Sequence, residues 1–499
     1  MIRVLSNYGR LIATFVIGIV IVRIMAEIGP DAALIYLLLI SSTGIAAMFK
    51  FALQNALVPA LGLSIDGSGE HDFQKVYWTS FVLGVGAGLL SVVLFAGFWL
   101  VSDQLNFGAL SQTTIAIALL GTAVQTFASS VGIVFLNLLL VERRLVAYNI
   151  MLVLDRALIL VAATVIIVLP PATSVDDKLQ LFYALVGGLT IVLQLGIYVL
   201  AVRGEPHLRL RRAPLVRQTT AWISAFIGWN AVVVIAFALF TRWPPLVVNW
   251  SLGELMTLTL SIVLLLIGYQ RQLSMGLVVG LDAMVARLMG TENDGEASSL
   301  ILRWTYILTV FATFSCALIG LFVEAILALW FGDSLSESGW VPAMSADLFR
   351  IMSFGIAASI LSEGWMKFLS GRGEVRAFAP PLLIAGIINI VGVIIASTLL
   401  EGQSALMAIA LVFSGSFLVV NLGFVAVQTA RRANVRLSAF YAVIAGPALI
   451  AACAAAPALF LHNGGWTMTN AAVALCILGV CALAALLTMP RFLARLSPA

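Results

Sequence analysis

Charge is scarce in this sequence: only 10% of its 499 residues are Asp, Glu, Lys or Arg, against about 25% in an ordinary soluble domain. A solvated globular surface is therefore excluded. Cysteine and histidine are scarce too, with four and three copies. Cys316, Cys453, Cys476 and Cys481 all lie in apolar segments without CxxC spacing, so neither a disulfide framework nor a thiolate metal site is expected. His71, His207 and His462 fall in predicted loops, which argues against a metal site and leaves no membrane-embedded base for a Ser or Cys nucleophile. No GxxxxGK[ST] loop is present to cradle a nucleoside triphosphate, and no HExxH helix to bind zinc. Long polar segments are missing as well: the clearest runs from Arg203 to Arg217, and the longest external loop is about 16 residues. That is short for a membrane polymerase or ligase of sugar chains. The Asp176-Asp177 pair has the look of a nucleotide-sugar metal motif but falls on the wrong side of the membrane. The net charge of +4 implies no nucleic-acid partner, because the basic residues sit at helix ends, where membrane topology accounts for them.

What fills the chain is apolar: 62% of residues are hydrophobic, where about 45–50% is usual. Only a polytopic membrane protein fits. The opening stretch has a basic start, an apolar run and no small-residue cleavage site, so it reads as an uncleaved first helix. At about 20 residues per crossing, fourteen helices are expected, near 8–28, 32–63, 76–101, 110–140, 147–169, 180–202, 218–241, 247–288, 300–331, 342–370, 378–400, 405–428, 439–461 and 469–489. The second and eighth exceed one crossing, so tilt, a kink at Pro59 or an extension beyond the membrane is expected. Loops carrying Arg143 and Arg144, Arg203 to Arg217, Arg372 and Arg376, Arg431 to Arg436, and Arg491 and Arg495 all fall on one side, and the opposite loops are acidic or neutral. The positive-inside rule then places both termini in the cytoplasm. The expected fold is all-α: two pseudo-symmetric six-helix bundles around a central cavity, plus two additional C-terminal helices. The expected division is 1–202, a basic cytoplasmic linker at 203–217, 218–430, and 431–499 with the cytoplasmic tail. An even number of helices per half makes the repeats parallel.

Against that apolar background, the embedded polar residues stand out. The second predicted helix carries Lys50, Gln54 and Asn55, and the eighth carries Gln270, Arg271 and Gln272. Ala56 to Leu61 in the one reads against Gly276 to Leu281 in the other, a weak internal repeat in which the cations themselves are one residue out of register. An ammonium at such depth costs roughly 2.5–3.5 kcal/mol on insertion scales. Lys50 and Arg271 therefore either snorkel to the headgroups or line a cavity that receives an anionic headgroup. Arg23 and Glu27, spaced i,i+4, form an interfacial pair or line the cavity. Asp155 and Arg156 inside the fifth helix are partners of neighbouring helices or act on substrate or protons. Asn230 bonds a sugar or a neighbouring helix. Glu363 and Lys367, again i,i+4, read as a pair satisfied within its own helix, or as a coupling site. Asp282 and Arg287 read as a solvated face.

These features resemble a family. Fourteen helices arranged six, six and two, with both ends inside and cations in the first, second and eighth, look like the oligosaccharide/polysaccharide (Wzx-like) flippases. That family lies in the multidrug/oligosaccharidyl-lipid/polysaccharide exporter superfamily. Arg23-Ile24-Met25-Ala26-Glu27-Ile28-Gly29-Pro30 followed by Ile35-Tyr36-Leu37-Leu38 is similar to the family's opening R-x-L-G-P-x-x-Y-G-x-Y. The resemblance implies alternating access and an isoprenoid-diphosphate-linked oligosaccharide moved from the cytoplasmic to the outer leaflet of a bacterial inner membrane. The product would be a surface polysaccharide such as O-antigen or exopolysaccharide. It implies Arg23, Lys50 and Arg271 as the counterparts of diphosphate-binding arginines, a groove for the lipid tail in 439–489, and no cofactor beyond coupling to H+ or Na+. Contacts with membrane lipids and with polysaccharide polymerase or assembly proteins also follow from it. On the residues alone, cavity binding extends to Gln54, Gln270 and Asn230, and coupling to Asp155, Arg156 and Glu363.

Competing classes are a multidrug or small-molecule antiporter of the same superfamily, a membrane enzyme of polysaccharide polymerisation, and a non-transporting assembly subunit. A cation exporter calls for acidic cavity residues, and here embedded cations outnumber carboxylates. An enzyme is disfavoured by the short external loops and the lack of an embedded histidine.

Overall fold

The computed structural model describes residues 2–65, 72–170, 172–203, 205, 208–290, 294–462 and 468–496. His71 and His207, and the side chains of Asn55 and Pro59, lie outside the described residues; His462 closes a helix instead of lying in a loop. The helices in order are α1 (Ile2–Ile28), α2 (Pro30–Ala46), α3 (Met48–Ile65), α4 (Phe73–Leu100), α5 (Gln112–Val141), α6 (Leu145–Ile167), α7 (Val175–Val202), α8 (Arg217–Thr241) and α9 (Trp243–Leu252). They continue with α10 (Glu254–Leu277), α11 (Leu281–Gly290), α12 (Asp294–Phe331), α13 (Pro342–Gly371), α14 (Ala379–Leu399), α15 (Gly402–Leu418), a π-helical segment (Val419–Val425), α16 (Ala426–Arg432), α17 (Leu437–His462) and α18 (Met468–Leu496). No strand occurs among the described residues. In hydrocarbon that is the expected outcome, because a helix satisfies its own backbone polar groups. Among the described residues, thirteen helices are long and apolar enough to cross a membrane, or fourteen when α2 and α3 count as one broken span. The protein is a multi-pass, all-α membrane protein.

Local chemistry sets several of the ends. Asp72, Ser111 and Ser174 cap α4, α5 and α7 by accepting from the backbone N–H three residues on. Pro30 and Pro342 open α2 and α13, where a missing N–H is harmless.

Two of the expected spans need correction. The second does not kink at Pro59; α3 runs through that residue, and the break lies at Ala47. Carbonyl groups freed by a break must find donors, and the Ser91 hydroxyl on α4 lies 2.7 Å from the Ala46 carbonyl. The seventh span does not end near 241. After a junction at Arg242 the chain resumes as α9 with Pro244 and Pro245 in its first turn, and the span closes at Leu252. The actual turn is Gly253, whose φ of 83° lies in the left-handed region that suits glycine. Residues 247–252, expected to open the eighth span, therefore close the seventh.

The chain divides into two compact units: Met1–Ser261 with Trp330–Trp340, and Ile262–Leu329 with Val341–Ala499. In the first unit α5 and α7 pack backbone to backbone. A Cβ on Gly121 would sit 2.4 Å from the Tyr183 carbonyl, and one on Gly187 3.2 Å from the carbonyl of Gly121, the close approach that small residues permit in membranes. Leu53, Leu57 and Leu61 of α3 join Tyr77 and Phe135 in its core. In the second unit α13 is the central helix. Its Trp365 is fully buried and donates its indole N–H to Thr305 Oγ1 at 3.0 Å.

Candidate functional site

In the first unit the break at Ala47 places Lys50 at the start of α3, half-buried, with Nζ 5.9 Å from the centre of the Phe51 ring. No ion pair reaches Lys50 among the described residues. The charges that act on it are those of Asp155 and Arg156 on α6. One turn further along α3, Gln54 donates to the Tyr148 hydroxyl at 3.4 Å. Tyr148 and Asp155 are seven residues apart on α6, two helical turns, and so share a face. The structure thus brings Lys50, Gln54, Asp155 and Arg156 into one neighbourhood, with Tyr148 as an added member. Asn230 is half-buried on α8 and engaged by a neighbour.

Arg23 is tied down within the same unit. Its Nε donates to Glu27 at 2.7 Å and its Nη1 to the Trp330 carbonyl at 2.5 Å, while the Trp330 indole donates to the Ile19 carbonyl at 3.0 Å. Of the two readings of the Arg23–Glu27 pair, this geometry is one that fastens α1 to residues 330–340.

In the second unit Arg271 projects from α10 onto Glu363 of α13, with Nε 2.7 Å from Oε1 and Nη2 also in contact. Glu363 is almost wholly buried, its side chain 6% exposed against 21% for Arg271. The expected pairing of Glu363 with Lys367 along α13 is therefore not formed. Lys367 instead donates to Asp282 of α11 at 2.9 Å, so Asp282 is no simple solvated face. A partner brought in by folding outcompetes the i,i+4 neighbour, which exposed helices favour by only about 0.2–0.5 kcal/mol. Gln270, 3% exposed, donates to Ser315 at 2.9 Å or Cys316 at 3.1 Å, and its buried Oε1 has no partner among the described residues.

Arg242 escaped the sequence reading, which placed it in a loop. It is the junction residue between α8 (Arg217–Thr241) and α9 (Trp243–Leu252). Gly44 makes room for it: a Cβ there would sit 2.5 Å from Cδ and Nε of Arg242. The available signal was the apolar run after Trp243-Pro244-Pro245, since proline opens a helix as readily as it ends one.

No protein-family model matches the sequence, and no curated protein matches it either. Solved structures do. An inward-facing multidrug resistance MATE family transporter of the MOP superfamily superposes with a TM-score of 0.67 at 13% identity, covering 86% of this chain and 99% of that one. The lipid II flippase MurJ, in an inward closed conformation, gives 0.67 at 10% identity, covering 97% of this chain and 98% of its own. A MOP superfamily transporter from Pyrococcus furiosus, described as having a binding pocket of reverse polarity, gives 0.62 at 13%, over 86% and 96%. At these identities the likeness establishes the fold: this chain has the all-helical fold of MOP superfamily transporters.

Proposed function

We propose that the protein is a flippase that moves an isoprenoid-diphosphate-linked oligosaccharide across a bacterial inner membrane by alternating access, for surface polysaccharide synthesis. The observation that carries this reading is the extent of the match. The MurJ flippase covers 97% of the chain and the MATE transporter 86%, a margin about as long as α17 and α18 together. The C-terminal helices also offer a place for a lipid tail. In the second unit α18 meets α10 and α12 at an apolar groove of about 450 Å³ lined by Leu277, Val310, Phe314, Leu478 and Leu486.

The charge pattern supports the same cargo. A diphosphate cannot cross hydrocarbon without compensation, and embedded cations supply it. During transit the phosphates meet Lys50 and Gln54 in the first unit and Arg271 and Gln270 in the second, with Arg23 and Asn230 as further contacts. Asp155, Arg156 and Glu363 couple the movement to an ion gradient or to the membrane potential, which acts on moved charge with about 2.3 kcal/mol per 100 mV. Both termini face the cytoplasm, and polysaccharide polymerase or assembly proteins are the partners.

The test is a transport assay with the full chain in proteoliposomes, following a lipid-linked oligosaccharide by its accessibility to an external glycosidase. Flipping should be present in the wild type and at least tenfold slower in Lys50→Ala and Arg271→Ala, the loss of one charge-assisted contact. Wild-type protein that leaves the glycolipid in place but exports a cationic dye would replace this reading with the antiporter.

A further inference from the structure

A cavity of about 120 Å³ lies within the first unit, lined from α2, α3, α5, α6, α7 and the junction of α8 with α9. Its lining includes two arginines, Arg156 and Arg242, and no Asp or Glu. Arg156 is the middle residue of the 23-residue α6 and has no ion pair among the described residues. Arg242 is the junction residue between α8 and α9, its stem seated against Gly44. Two guanidinium groups, one from the middle of α6 and one from the junction of α8 with α9, thus line one cavity. Thr43 and Gln125 add a hydroxyl and an amide donor to the same lining, whereas the Thr122 hydroxyl donates to the Ala118 carbonyl at 2.7 Å. Tyr183, 3% exposed, forms part of the wall, and its hydroxyl has no partner among the described residues.

We propose that this cavity binds a phosphate group, held between Arg156 and Arg242 with Thr43 and Gln125 completing the donor set. Guanidinium forks match the paired oxygens of a tetrahedral oxyanion. The volume is well below the roughly 300–1,000 Å³ of pockets for drug-sized ligands, so it suits a phosphate group and excludes a saccharide. The site goes beyond the transport reading, because it binds a phosphate whether or not the cargo is a lipid-linked sugar. The phosphate comes from one of two sources, a free anion or the diphosphate of an isoprenoid lipid.

Equilibrium binding to the full chain in phosphatidylcholine nanodiscs separates them, with radiolabelled orthophosphate as one probe and a short-chain isoprenyl diphosphate as the other. Arg156→Gln and Arg242→Gln should each weaken binding by roughly tenfold or more, as expected for a lost charge-assisted contact. Arg350→Gln, whose parent side chain bonds Asp347 and the Gly320 carbonyl in the second unit, should leave it unchanged. Gly44→Ala displaces the Arg242 stem without removing charge; it should also weaken binding and keeps the test open should Arg242→Gln fail to fold. Orthophosphate binding that the isoprenyl diphosphate does not displace assigns a free anion, and binding of the lipid probe, alone or in competition, assigns the lipid source. Either upholds the site. Wild-type protein that binds neither probe, or variants that bind as wild type does, would overturn it. Because the readout is binding, it fails or succeeds independently of the flipping assay.

Discussion

In the second span Lys50 stands just past a helix break and meets no carboxylate within ion-pair distance, whereas in the eighth span Arg271 sits inside an unbroken helix against Glu363. The weak sequence repeat sets these cations within one residue of a common register, yet the surrounding segments differ. Ala56 to Leu61 is continuous helix, while Gly276 to Leu281 contains the turn between α10 and α11, where Gly280 has a φ of 83°. Each unit thus handles an embedded cation in its own way. Arg271 is compensated by a carboxylate, and the proposed anionic cargo would have to compete with Glu363 for it. Lys50 feels the charges of Asp155 and Arg156, one of each sign, and has no ion pair among the described residues. The lesson is that embedded positive charge on its own does not mark a binding group; the presence or absence of a buried carboxylate partner separates the two cases.

The largest effect that sharpens this contrast is in stability. Glu363→Ala strands the Arg271 guanidinium, and breaking a buried pair from one side costs about 3–5 kcal/mol. Because the Arg271 side chain is 21% exposed, the loss should fall near the lower end, about 3 kcal/mol. Lys50→Gln removes a charge that has no ion pair to lose, so its stability should be unchanged or slightly raised. The measurement is the unfolding midpoint of each purified variant in one detergent. Equal losses in the two variants would mean that Lys50 has a compensating partner after all, and the contrast would collapse.

How much of this was legible in the residues follows from the range of the interactions. The spans were readable because an apolar run of membrane length is a local signal, and their number agrees with the structure once α2 and α3 count as one. The break at Ala47 was not readable: no glycine or proline stands at Ala46-Ala47, and the donor that satisfies the Ala46 carbonyl is Ser91, on another helix. Pro59 drew the expected kink because proline removes an N–H, but α3 runs through it. Lys50, Asp155 and Arg271 could be singled out by their cost in hydrocarbon. Their partners could not, since Arg271 and Glu363 are 92 residues apart and the i,i+4 rule pointed Glu363 to Lys367. Arg242 was lost through a boundary, because the seventh span was expected to end near 241, whereas α9 continues it to Leu252.

A smaller effect tests whether the break itself sets Lys50 apart. Ser91→Ala removes the hydroxyl next to the Ala46 carbonyl while keeping the helix-forming character of α4. The loss should be about 1 kcal/mol, the usual net value of one hydrogen bond, read as a shift in the unfolding midpoint. If the break positions Lys50, the same variant should also slow flipping, although Ser91 lies on a different helix from any proposed cargo contact. A variant that loses stability but flips at the wild-type rate would show that Lys50 does not depend on the break.

The smallest effect probes another paired cation, Lys367. Lys367 and Asp282 are each 38% exposed, so their attraction is weakened by solvent and their pair is worth only about 0.2–1 kcal/mol. Asp282→Asn should therefore shift the midpoint by a small fraction of what Glu363→Ala does, although both remove one carboxylate from one cation in the same unit. The distinction rests on burial, 6% exposure for Glu363 against 38% for Asp282. Should Asp282→Asn prove as damaging as Glu363→Ala, the two pairs would have to act as one coupled network along α13, and a double-mutant cycle would register it as a coupling energy above about 0.5 kcal/mol.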